Sequence, residues 1–85
     1  MKILIAEDET ALRQSIATYL GRDGNICESA KDYDDTLYKI SLYDYDVILL
    51  DINLVTGSGL DVLEALKKDK KKTGVIIISA NNSLD

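Results

Sequence analysis

Three apolar runs in this chain each stop on a residue suited to metal-assisted phosphoryl chemistry. Lys2-Ile3-Leu4-Ile5-Ala6 leads into Glu7-Asp8, Val47-Ile48-Leu49-Leu50 into Asp51, and Val75-Ile76-Ile77-Ile78 into Ser79. Carboxylates gathered in one place repel each other unless a cation is present. Oxygen donors suit Mg²⁺ or Mn²⁺, and Mg²⁺ keeps positions open for water and phosphate oxygens. A carboxylate beside such an ion can attack phosphorus and form an acyl phosphate. A hydroxyl such as that of Ser79 can hydrogen-bond a phosphoryl oxygen, in a chemistry that asks mainly for positioning and charge neutralisation. Each feature alone has a bland reading: helix-start acids for Glu7-Asp8-Glu9, a turn or cap for Asp51, a strand-end hydroxyl for Ser79. Their joint occurrence at three run endings is what points to a site.

These endings meet only if the runs are parallel strands of one sheet, since open α/β folds bind ligands outside the carboxyl ends of their strands. The intervening patterns supply the required helices. Thr10 to Leu20 puts Leu12, Ile16, Tyr19 and Leu20 on one helical face, with Gly21 and Gly24 bracketing its end. Residues 25–30 are only half apolar, as suits an edge strand. Asp32 can cap a second helix that turns Tyr33, Leu37, Ile40 and Tyr43 inward. Val47 to Leu50 and Val75 to Ile78 are continuously apolar, the pattern of strands buried on both faces. Between them Gly57-Ser58-Gly59 interrupts the chain before Leu60, Leu63 and Leu66 restart a helical period, with Val62 near that face. The expected order is β-α-β-α-β-α-β over a single domain, residues 1–85, with helices on both faces of a parallel sheet. If the fourth strand lies at an edge, its apolar residues need a cover.

Composition narrows the function classes. The 10 basic and 15 acidic side chains give a net charge of −5, which argues against a nucleic-acid-binding surface in these residues. Five of the ten basic residues crowd into 67–72, at the negative end of the third helix, and read as a solvated helix end. Cys27 is the single cysteine, so no internal disulfide forms and a reducing compartment fits. No apolar stretch approaches the roughly 18 residues that span a bilayer. A cytoplasmic location and no membrane association are the expectations.

The residues resemble a response-regulator receiver domain, the phosphoacceptor module of two-component signalling. Glu7-Asp8 is similar to the acidic pair after the first strand, and Asp51 to the phosphoacceptor aspartate after the third. Asn53 stands where receivers offer a backbone carbonyl to the metal. Gly59 matches the glycine that closes the loop before the third helix, and Ser79-Ala80 the switch hydroxyl and its small neighbour. The resemblance implies a flavodoxin-like, doubly wound sheet of order 2-1-3-4, lacking a fifth strand and the last two helices. It implies Mg²⁺, or Mn²⁺, held by Glu7, Asp8, Asp51 and the Asn53 carbonyl. It implies phosphotransfer from a sensor histidine kinase to Asp51, with Ser79 as the switch, and a transcription regulator that meets DNA only through an output domain outside these residues. Val55 departs from the pattern, standing where many receivers carry proline. No lysine matches the one that normally pairs with the phosphoryl group.

Two rival readings come from the same residues. The segment 47–55 resembles the aspartate-nucleophile motif of haloacid-dehalogenase-type phosphatases, again with Asp51 as nucleophile. Asn53, however, replaces their acid/base aspartate, and an amide cannot shuttle that proton. The other rival is a truncated, non-signalling fragment that self-associates through strand 75–79.

Overall fold

The computed structural model describes residues 1–54 and 57–78. Strand β1 (Lys2–Ala6) is followed by helix α1 (Thr10–Gly21), β2 (Ile26–Ala30), α2 (Tyr33–Leu42) and β3 (Val47–Asp51). A short hairpin of β4 (Asn53–Leu54) and β5 (Gly57–Ser58) then leads into α3 (Gly59–Lys68) and β6 (Gly74–Ile78). The four long strands form one sheet in the order β2-β1-β3-β6, every pair parallel. Counted as long strands, this is the expected 2-1-3-4.

The winding follows from right-handed crossovers. The chain steps from β1 outward to β2, then back across to β3 and on to β6, so α1 lies on one face and α2 and α3 on the other. α1 packs against β1 and β2, while α2 and α3 touch each other. The main core is on the two-helix face, where Leu4, Ala6, Ala30, Ile48 and Leu50 meet Ile40, Tyr45, Leu54, Val62 and Leu66. Ile3 and Ile5 are buried on the other side of the sheet.

The helix ends are set by local chemistry. The Asp32 carboxylate accepts from the Asp35 amide at 2.8 Å, the expected cap of α2, and the Thr36 hydroxyl donates to the Asp32 carbonyl oxygen at 2.7 Å. Gly24, at φ +85°, closes the turn after α1 with its amide on the Gly21 carbonyl oxygen.

Four burial expectations need correction. Tyr19 is exposed, because α1 stands alone on its face among the described helices and its flanks have no neighbour. Tyr43 is also exposed, since α2 ends at Leu42 and the backbone at Tyr43 is already extended. In α3 the buried stripe is Gly59, Val62 and Leu66, while Leu60 is exposed. The strand β6 is not buried on both faces: Ile76 and Ile77 are 53% and 41% exposed. It is an edge, paired only with β3 among the described residues.

Candidate acidic site

Register brings the acids together. Ala6 is level with both Ala30 and Leu50, so the residues leaving β1 and the last residue of β3 emerge side by side. One carboxylate oxygen from each of Glu7, Asp8 and Asp51 lies within 4.8 Å of the others. Glu7 and Asp51 are 2% and 6% exposed, and Asp8 is the most open of the three. These three expected ligands are therefore assembled.

Glu7 is not a helix-start acid. Its amide donates to the Ala30 carbonyl oxygen at 3.1 Å, which extends the β1–β2 ladder by one residue and turns the side chain inward. Carboxylate oxygen Oε2 accepts from the Glu9 amide at 3.1 Å. Oxygen Oε1 is buried with no hydrogen-bond partner among the described residues. Burial pushes the Glu7 carboxyl above its ordinary value, the neighbouring Asp8 carboxyl and the charge of Asp51 push the same way, and the Glu9 amide opposes them. Orphaned buried acceptors are rare and call for a partner. A hard cation supplies one, so the donor set fits Mg²⁺ or Mn²⁺.

The far wall comes from the β4–β5 hairpin and the start of α3. Asn53 opens the hairpin opposite Ser58, and Leu54 lies opposite Gly57. The Gly59 amide donates to the Ile52 carbonyl oxygen at 2.7 Å. A Cβ on Gly59 would stand 2.5 Å from the Asp51 carbonyl oxygen, so only glycine lets α3 approach the end of β3 this closely. One on Gly57 would strike the Tyr33 ring, which packs over the hairpin. The Ser58 hydroxyl accepts from the Leu60 amide at 3.1 Å and caps α3.

The other expected residues fall as follows. Ile78 is level with Asp51, so β6 reaches the rim of the site. Ser79, Ala80 and Val55 lie outside the described residues. Lys67 and Lys68 end α3, and Lys70 to Lys72 line a cavity of about 430 Å³ with Asp44, Tyr45, Asp46 and Thr73, before the starts of β3 and β6. That is the opposite end of the sheet from Asp51. Sequence reasoning missed Arg13, whose guanidinium Nη1 donates to the Glu7 carbonyl oxygen at 2.7 Å. Its spacing four residues beyond Glu9 was the available signal, because helical side chains point back toward the N-terminus.

Fold and site together define a doubly wound α/β domain with a cation-ready acidic cluster at the carboxyl ends of its strands. The family described as the response regulator receiver domain matches residues 3–85. The chain is 34% identical over 83 residues to the two-component response regulator PhoP of Pseudomonas aeruginosa, covering 98% of this chain and 37% of that protein. It is 35% identical to the cell cycle transcriptional regulator CtrA of Caulobacter vibrioides, over 100% of this chain and 37% of that one. Among solved structures, the Francisella response regulator 1452 receiver domain superposes with a TM-score of 0.87 at 34% identity, over 98% of this chain and 69% of that chain. The response regulator TrrA of Thermotoga maritima, solved with Mg²⁺-BeF, superposes with a TM-score of 0.87 at 30% identity, over 95% and 70%. The chain belongs to the response regulator receiver family, a class of signalling modules, and spans 37% of the length of those two sequence relatives. Among the described residues no helix is long and apolar enough to cross a membrane.

Proposed function

We propose that Asp51 accepts a phosphoryl group from the phosphohistidine of a sensor histidine kinase, at a site where Glu7, Asp8, Asp51 and the Asn53 carbonyl oxygen hold Mg²⁺. Mn²⁺ suits the same donors. The cation, when bound, neutralises the crowded carboxylates and the incoming phosphoryl oxygens. An Asp51 carboxylate oxygen forms the new bond to phosphorus while the bond to the histidine nitrogen breaks, and the imidazole leaves. Ser79 is assigned the switch hydroxyl that answers the phosphoryl group. The observation that carries the reading is the gathering of the Glu7, Asp8 and Asp51 carboxylates, with a buried Glu7 oxygen that has no hydrogen-bond partner among the described residues. Family membership and the Mg²⁺-BeF complex of TrrA support it. Relatives described as transcriptional regulators support a cytoplasmic parent that acts on DNA through a separate output domain.

The chain is proposed as a single-turnover acceptor rather than a phosphatase. The phosphatase reading leaves Glu7 and Asp8 without a role, yet both lie against Asp51. Incubation with Mg²⁺ and acetyl phosphate, followed by intact mass, tests the choice. Addition of one phosphoryl group, lost in Asp51→Asn, is the expected result. Sustained hydrolysis of an aryl phosphate would overturn it in favour of the phosphatase.

The exposed Ile76 and Ile77 on edge strand β6 support a further proposal, self-association through residues 75–79. A monomeric mass by light scattering, with a cooperative melt, would overturn it.

A further inference from the structure

The turn from β1 into α1 carries Glu7, Asp8 and Glu9, yet α1 begins without a side-chain cap. Glu9 occupies the cap position and its carboxylate accepts no capping hydrogen bond. Arg13 closes this turn instead. It lies in the first turns of α1, where its amide donates to the Glu9 carbonyl oxygen at 3.0 Å. Its side chain runs back toward the helix start and donates to the Glu7 carbonyl oxygen at 2.7 Å. Glu7 is thereby held from two sides, its amide by β2 and its carbonyl by α1. A guanidinium suits this task because its donors leave a rigid plane in fixed directions, whereas an ammonium is a freely turning point charge.

We propose that Arg13 is a positioning residue for the acidic site. By fixing the Glu7 carbonyl it sets the direction in which the Glu7 and Asp8 side chains leave the strand, and so the donor geometry offered to a divalent cation. This rests on the cation-binding reading given above. Charge and positioning make opposite demands. A fixed positive charge near three carboxylates disfavours a second cation, so its removal should tighten metal binding if Coulombic effects dominate. If positioning dominates, removal weakens binding, as loss of a group that orients metal ligands usually does.

The sign is measured by Mn²⁺ titration of the whole chain, following the electron paramagnetic resonance of the free ion, well below each variant's melting temperature. The wild type, Arg13→Met, Arg13→Lys and Asp8→Asn are compared. Arg13→Met is expected to bind Mn²⁺ on the order of tenfold more weakly, and Arg13→Lys to recover part of that loss. Unchanged or tighter binding in folded Arg13→Met overturns the proposal, even if its melting temperature falls, because a purely structural role lowers stability alone. If Arg13→Met does not fold, Arg13→Lys decides: its charge is kept, so weaker binding supports positioning and wild-type binding refutes it. Absence of Mn²⁺ binding by the wild type, or full binding by Asp8→Asn, overturns instead the cation reading on which the proposal stands.

Discussion

At the carboxyl ends of the strands, Glu7, Asp8 and Asp51 crowd like charges together and leave a buried Glu7 oxygen without a hydrogen-bond partner among the described residues. Toward the amino ends, opposite charges and aromatic rings are matched. Lys2 lies 3.7 Å from Glu28 and over the rings of Tyr43 and Tyr45, at 4.9 and 5.4 Å from their centroids. The Tyr45 hydroxyl donates to Glu28 at 2.5 Å, and Lys71 pairs with Asp44 at 2.8 Å. One sheet therefore carries a frustrated end and a satisfied end. The frustrated end gains most from a ligand, because anything that binds only the folded state stabilises it. The satisfied end has nothing comparable to gain, and its side chains serve the fold.

The largest expected effect separates the ends by metal. At a Mg²⁺ concentration about 100 times its dissociation constant, the wild type should gain about 2.7 kcal/mol of stability. Asp8→Asn should gain almost none, by thermal melts with and without Mg²⁺. A full Mg²⁺ response in that variant would place the cation elsewhere and dissolve the contrast.

Next in size is Tyr45→Phe at the satisfied end. It removes the hydrogen bond to Glu28 from a side chain only 5% exposed, and should cost about 1 kcal/mol with the Mg²⁺ response intact. Burial, then the hydrogen bond and charge of Glu28, push the Tyr45 hydroxyl above its ordinary value of 10.0. The folded state thus holds its proton longer than the unfolded one, so this contribution is whole below pH 10 and is lost as pH rises beyond it. Denaturant melts at alkaline pH should show the gap between wild type and Tyr45→Phe narrowing. A constant gap would mean that Tyr45 contributes by shape alone.

Glu7→Gln should act in the opposite direction. It removes a buried charge, so the metal-free protein should become more stable by about 1 kcal/mol at neutral pH. The Glu7 carboxyl is raised from 4.5, so the folded state favours the protonated form and ionisation costs stability as pH rises through the window above 4.5. The advantage of Gln should therefore fade as pH falls toward 4.5. A metal-free Glu7→Gln less stable than wild type would show that this end is not frustrated.

Much of this was legible in the sequence because the strongest signals are apolar runs. Ile3 to Ala6, Ile48 and Leu50 are buried as their composition demands, and β-strand register then delivers Glu7, Asp8 and Asp51 to one edge. Features that depend on contacts across the chain were hidden. The stripe of α3 was misphased because Gly59 lies against the Asp51 carbonyl oxygen, which turns Val62 and Leu66 inward rather than Leu60. Tyr45 sits in the polar string Tyr43-Asp44-Tyr45-Asp46 and becomes core only because Glu28 receives its hydroxyl. The β4–β5 hairpin needs Gly57 to make room for a ring 24 residues earlier, which no local pattern reveals.

The smallest effect tests whether every pairing at the satisfied end matters. Lys71 pairs with Asp44, whose carboxyl is drawn below its ordinary value of 3.8 first by the hydrogen bond from Lys71 and then by its charge. A carboxyl lowered in the folded state contributes stability above 3.8, and that contribution disappears as pH falls through the folded value. At neutral pH it is fully present, yet Asp44 is exposed, and water and salt screen such a pair. Lys71→Ala should therefore melt with the wild type within the error of the scan at about 0.15 M salt. It should also follow the wild type through the acid limb. The cohesion of this end then resides in the half-buried Lys2, Glu28 and buried Tyr45, where solvent cannot take over either partner's role. A loss in Lys71→Ala as large as that in Tyr45→Phe would show that surface charge matching, rather than burial, distinguishes the two ends.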